Sequence, residues 1–230
     1  MGNSGIGPDT LFTVAGLPVT STVVTTWLVM LLLVGLSWLL TRHLRQEPGL
    51  IQTSLEIAVS MIETAIREVA PDHVRQLMPF IGTLWTYIVV ANLIGLIPGL
   101  HSPTRDLSAT AALAVLVFLS VHWYGIRTQG LKSYLRHYLT PSPLMLPFHL
   151  MSEVSRTVAL AVRLFGNMMS LEMAAVLILL VAGLLVPIPI LMLHIIEALV
   201  QAYIFGMLAL IYIAGGLQSQ QLQQQSQTKE

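Results

Sequence analysis

Arg163 lies within a long apolar run, and an arginine cannot escape its charge by losing a proton. A charge at the bilayer centre costs at least about 2.5–3.5 kcal/mol, so such residues mark functional positions. His149, Arg156, Arg163 and Ser170 recur every seven residues and form one stripe on a helix, flanked by Ser152 and Asn167. The opposite face is mostly aliphatic. The stripe is either one wall of a wet path or a polar face packed on a neighbouring helix. Glu153 adds an acid at the start of the run, and Glu172 adds one nine residues past Arg163. In the last apolar run His194, Glu197 and Gln201 follow i, i+3, i+7 spacing and share a face. Carboxylate and imidazole exchange protons readily when their surroundings tune them, so Glu172, His194 and Glu197 suit a proton relay. A buried hydrogen-bonded cluster that fixes helix packing is the other possibility. Two polar regions at different depths, with Arg163 between them, point to two offset half-channels and to ion translocation.

The elements that must position these groups are membrane helices. Of the 230 residues, 55% are hydrophobic and only 10% charged, with a mean hydropathy of +0.77. Soluble domains carry about 25% charged residues, so this chain cannot cover a water-facing surface. Apolar runs long enough to span occur at 20–41, 78–98, 107–126, 144–182 and 190–215. Trp27 and Trp38 mark the two ends of the first. Its length and the basic stop Thr41-Arg42-His43-Leu44-Arg45 read as a retained span rather than a signal peptide. Leu50, Leu55, Ile57, Ile62, Ile66 and Val69 alternate with Glu56, Glu63, Arg67 and Glu68, giving an amphipathic helix for the interface plane or a partner. The run from Leu144 to Ala182 would be roughly 58 Å long as a helix, so it must tilt or bend. Val186-Pro187-Ile188-Pro189 reads as the turn into the last span, and residues 218–230 as a flexible polar tail. The expected fold is therefore all-α: a single membrane domain over 1–230, with five transmembrane helices and an interfacial amphipathic helix. Its long tilted or bent helix pairs with the last helix.

Five crossings put the termini on opposite sides. With the N-terminus outside and the C-terminus cytoplasmic, Arg42, Arg45, Arg67, Arg75, Arg127, Lys132, Arg136 and Lys229 are all cytoplasmic, and Arg105 alone faces out. Smaller signals have plainer readings. Asn92 either lines the outer path or makes a helix–helix hydrogen bond. His122, beside Trp123 and Tyr124, reads as interfacial, and Gly82, Gly95 and Gly206 as sites of close helix packing. Zero net charge argues against nucleic acid as a partner. The absence of cysteine excludes thiolate metal sites and cysteine nucleophiles. No HExxH and no phosphate-binding glycine loop occurs, so neither a metal site nor a nucleotide site is expected, and no cofactor. The halves show no internal repeat, which removes support for an independent secondary transporter with inverted repeats.

Two motifs carry a family resemblance. The segment Arg156-Thr157-Val158-Ala159-Leu160-Ala161-Val162-Arg163-Leu164-Phe165-Gly166-Asn167-Met168 resembles the signature of the subunit a family of F-type ATP synthases. Gln201-Ala202-Tyr203-Ile204-Phe205 resembles its second hallmark, in the right order and at the right separation. The resemblance runs from about Pro79 to Gly216. It implies a non-catalytic stator in the bacterial inner membrane, beside a ring of c subunits and the b-subunit peripheral stalk. An ion entering one half-channel neutralises a ring carboxylate, which turns through lipid and releases the ion into the other half-channel. Arg163 maps onto the essential arginine, Asn167 and Gln201 onto polar residues near it, and Glu172 with His194 onto the outer half-channel pair. Where many relatives carry a glutamate fourteen residues before the arginine this chain has His149, and its acid is Glu153; Gly95 stands where some relatives have an acidic residue. The short N-terminal region and the Val186–Pro189 run resemble the N-type branch, associated with sodium. Proton is the expected ion and sodium the alternative, because the ion is chosen mainly on the c-ring carboxylate.

Overall fold

The computed structural model describes residues 10–14, 17–42, 49–97, 100–130, 146–182 and 187–227. Six α-helices account for nearly all of them: α1 (Ser21–Thr41), α2 (Leu50–Val69), α3 (Val74–Leu93), α4 (Leu107–Gln129), α5 (Leu146–Ala182) and α6 (Pro187–Gln227). Five helical stretches are long and apolar enough to cross a membrane: Ser21–Thr41, Pro71–Leu96, Leu107–Thr128, Pro147–Ile178 and Leu191–Leu217. These coincide with the five runs read from the sequence, and the protein is an integral membrane protein. In lipid every backbone group must be satisfied within its own segment, which selects helices.

One element departs from the all-α expectation. Strands β1 (Thr10–Val14) and β2 (Leu17–Thr20) pair antiparallel, with Val14 opposite Leu17 and Phe12 opposite Val19. Phe, Val and Thr favour extended backbone, and Pro18 is tolerated because a two-stranded ribbon consists of edges.

The core is built where α3, α4, α5 and α6 meet, from Leu77, Ile81, Ile88, Leu164, Met168, Phe205, Leu210 and Ile213. Helix α1 stands apart: Val29 is its one buried residue, and it is tied in by Thr22 Oγ1 donating to Asp106 Oδ2 at 2.9 Å. Helix α2 is amphipathic as expected. Its C-terminal half packs Ile62, Ala65, Ile66 and Val69 into the core cluster, while Leu50, Ile51 and Met61 stay exposed.

Two boundaries differ from the sequence reading. Pro187, Ile188 and Pro189, expected in a turn, form the first turn of α6, while Val186 lies outside the described residues. A helix's first residues have no intrahelical acceptor for their N–H groups, so proline fits there. At the other end α6 continues to Gln227, where the tail was expected to be flexible. Gln218–Gln227 contains no proline or glycine and is rich in glutamine, a good helix former. Helix α5 runs unbroken over 37 residues, with Pro147 likewise in its first turn. Arg45 and the basic 131–145 connection, with Lys132, Arg136 and His137, lie outside the described residues.

Candidate functional site

The α5 stripe is exposed along its whole length: His149, Ser152, Arg156, Arg163 and Ser170 all face outward. The buried residues of α5 are Leu160, Ala161, Leu164 and Met168, which form its other face. Among the described residues the polar face meets a neighbouring helix only at its edges, through Arg156 beside Tyr212 and Asn167 on Gln201 of α6. Arg156 stays near the surface, donating from Nη2 to Ser152 Oγ at 3.1 Å and sitting 5.5 Å from the centre of the Tyr212 ring. Arg163 has no ion-pair or hydrogen-bond partner among the described residues. A permanent cation thus projects from the middle of a candidate span with no counter-charge among the described residues.

One turn along, α5 and α6 are pinned together. Asn167 Nδ2 donates to Gln201 Oε1 at 2.7 Å. Gln201 is 1% exposed, and its own Nε2 has no hydrogen-bond partner among the described residues. His194, seven residues earlier on the same face, is likewise buried with Nε2 unbonded. Glu197 is half-buried and makes no hydrogen bond among the described residues. Buried polar atoms are normally satisfied by protein or by water. Two unsatisfied nitrogens on one face of α6 therefore mark a polar seam between the helices.

Among the described residues Glu172 makes no hydrogen bond to His194 or Glu197, so the hydrogen-bonded packing cluster that the spacing left open does not form there. Its Oε1 accepts from Arg105 Nη1 at 2.8 Å and lies 3.0 Å from His101 Nδ1. Both partners come from the α3–α4 connection, whose 3-10 turn Pro103–Arg105 packs on α5. A nearby guanidinium is the stronger electrostatic partner for a carboxylate than a neutral imidazole on another helix. The sequence contained the signal, since Arg105 is the one Lys or Arg in the connection 98–106 between the second and third apolar runs.

The turn that carries Arg105 is anchored by Asn92. This asparagine is fully buried; its Nδ2 donates to Ala198 O at 3.1 Å and its Oδ1 accepts from Thr104 Oγ1 at 2.7 Å. Ser102 Oγ donates to Ala91 O at 2.8 Å. Asn92 thus makes a helix–helix hydrogen bond to α6. Gly95 explains itself here: a Cβ would sit 3.0 Å from Ser102 Cβ, so a larger residue would push this turn outward. Gly206 is tighter still, with Trp85 Nε1 1.9 Å from where its Cβ would stand. Gly82 meets nothing within 4 Å, so close packing does not account for it.

At the other end of α5, His122 is not simply interfacial. Its Nδ1 lies 2.9 Å from Phe118 O, and its Nε2 lies 3.3 Å from Glu153 Oε2. Both are half-buried, and they join α4 to α5; Glu153 lies three residues before Arg156 and ten before Arg163. The neighbouring aromatics Trp123 and Tyr124 masked this pairing in the sequence, where nothing fixes the register of α4 against α5.

Comparison with known proteins agrees with this architecture. The family described as ATP synthase A chain matches residues 23–214. The chain is 55% identical to the ATP synthase subunit a of Legionella pneumophila (strain Paris) over 229 residues, 99% of this chain and 100% of that protein. It is 63% identical to ATP synthase subunit a 2 of Pelobacter propionicus over 209 residues, 91% of this chain and 92% of the other. It is 62% identical to ATP synthase subunit a 1 of Hahella chejuensis over 216 residues, 94% and 92% of the two chains. With the family match covering most of its length and the polar α5–α6 pair at its centre, the chain belongs to the ATP synthase A chain family.

Proposed function

We propose that the chain works as the stator channel of an F-type ATP synthase, passing protons through two half-channels to and from a carboxylate on a c-subunit ring. It is a non-catalytic, ion-translocating membrane subunit whose partners belong to the membrane sector of that complex. The observation that carries the reading is Arg163, exposed at mid-span without a counter-charge among the described residues. A fixed cation in lipid needs an anion, and a ring carboxylate that ionises only opposite it meets that need. When the carboxylate is neutral it can leave for lipid; when ionised it is held at Arg163, so the ion cannot leak directly between the half-channels. The membrane potential supplies about 2.3 kcal/mol per charge per 100 mV.

The other residues fall on two sides of this gate. Glu172, His194 and Glu197 are assigned to the outer half-channel, with Asn167 and Gln201 bridging α5 and α6 beside Arg163. His149, Ser152 and Glu153 are assigned to the inner half-channel, joined there by His122. Asn92 serves the outer side as a brace. The orientation is N-terminus outside and C-terminus cytoplasmic in a bacterial inner membrane, with the b-subunit stalk as a second partner. In the reconstituted complex, Arg163→Ala is expected to abolish ATP synthesis and ATP-driven pumping while the complex still assembles. Retained pumping would overturn the proposal. Repeating the wild-type assay with and without sodium, and with a protonophore, separates proton from sodium: a sodium requirement with protonophore resistance would replace the ion.

A further inference from the structure

We propose that His101 and Arg105 form the mouth of the outer half-channel, with Arg105 positioning the Glu172 carboxylate and His101 passing protons between it and bulk water. This rests on the assignment of Glu172 to the ion path.

Three observations carry it. The first is convergence: both side chains meet the same oxygen, Glu172 Oε1, at 2.8 and 3.0 Å. The second is a gradient of exposure. The His101 side chain is 59% exposed and Glu172 21%, while His194 is 5% exposed as a residue with a ring nitrogen unbonded among the described residues. A proton path needs such a sequence from water to a protected site, and imidazole is suited to the first position because it exchanges protons near neutral pH.

The third is rigidity. His101 and Arg105 flank Ser102, Pro103 and Thr104, all buried, and Ser102 and Thr104 are bound to Ala91 and Asn92. Asn92 is in turn bound to Ala198 on α6. The turn is held against the core from both ends, so the two exposed side chains are presented to α5 at a fixed place. A merely solvated loop would not need this brace. The remaining nearby acid, Asp106, is occupied: it accepts from Thr22 Oγ1 and from Ser108 N. Arg105 therefore serves Glu172.

In the transfer, the Nδ1–H bond of a protonated His101 breaks and an O–H bond forms on the Glu172 carboxylate. The imidazole returns to neutral and takes its next proton from outer water. Arg105 exchanges no proton, since its guanidinium stays charged; it fixes the carboxylate within reach of His101.

The test uses the whole complex in proteoliposomes, with ATP synthesis driven by a potassium diffusion potential. His101→Gln is expected to lower the rate about a hundredfold, the low end of the usual range for loss of a positioned proton donor. Imidazole on the outer side should restore much of it, without effect on the wild type or on Glu172→Gln. Arg105→Gln is expected to fall by a similar factor, with Arg105→Lys recovering most of the rate. If Glu172→Gln itself is fully active, the assignment of Glu172 to the ion path fails. If Glu172→Gln is inactive while His101→Gln and Arg105→Gln match the wild type, this proposal alone fails. A His101→Gln loss that imidazole does not restore also overturns it, because a purely structural role is not rescued by a soluble base. Should Arg105→Gln not assemble, the exposed His101 variant still decides the matter.

Discussion

Asn92 uses both ends of its amide in a fully buried place. Replacing it by leucine would remove two buried hydrogen bonds, leaving the Thr104 hydroxyl with Ser102 Oγ alone at 2.6 Å and the Ala198 carbonyl with its helix bond alone. Each intramolecular hydrogen bond contributes about 0.5–1.5 kcal/mol. Asn92→Leu should therefore lower the thermal unfolding midpoint of the detergent-solubilised protein, and it should slow ion transport as well, because the turn bearing His101 and Arg105 loses its anchor. The same logic applies beside Arg163. Asn167→Leu removes the donor to Gln201 Oε1, so Gln201 would keep neither end of its amide bonded among the described residues. The expected result is a comparable loss of stability, about 1–3 kcal/mol, measured as a lower denaturation midpoint. At the inner end, Glu153→Gln and His122→Gln should each slow ATP-driven pumping, and the double variant should be no slower than the worse single one, since the two side chains act as one pair.

The helices are joined by seams with little tolerance. Between α3 and α6 the Trp85 indole lies stacked on Tyr203 with ring centroids 5.8 Å apart, and its Nε1 donates to Tyr203 O at 3.3 Å. Gly206 leaves the room for it. Gly206→Ala should drive the indole out of this slot and cost about 1–3 kcal/mol by overpacking. The abundance of the protein in membranes should fall accordingly, and Trp85→Phe added to Gly206→Ala should return part of it. A double variant no more abundant than Gly206→Ala would show that the clash lies elsewhere. Helix α2 illustrates a division within one element. Its hydrophobic periodicity is plain in the sequence, yet only the half bearing Ile62 and Ile66 finds a place in the core.

For the molecule as a whole, the orientation makes a direct prediction. The chain contains no cysteine, so one introduced thiol per variant reports its side of the membrane. Gln76→Cys and Arg127→Cys should react with a membrane-impermeant thiol reagent only from the cytoplasmic side, and Ser108→Cys only from outside. All three positions are exposed. Labelling from the opposite sides would reverse the assignment of inner and outer half-channels together. The sequence alone determined the spans and the stripe His149–Arg156–Arg163–Ser170, because membrane length and helical period are local properties that hold whatever the neighbours are. It also placed His194 and Gln201 on one face of α6. Only the tertiary structure decided what those residues meet. Glu172 pairs with Arg105 and His101 instead of His194, Glu153 with His122, and Asn92 with Thr104 and Ala198. These contacts depend on how helices are rotated and shifted against each other, and that is set by close packing at positions such as Gly95 against Ser102 and Gly206 against Trp85.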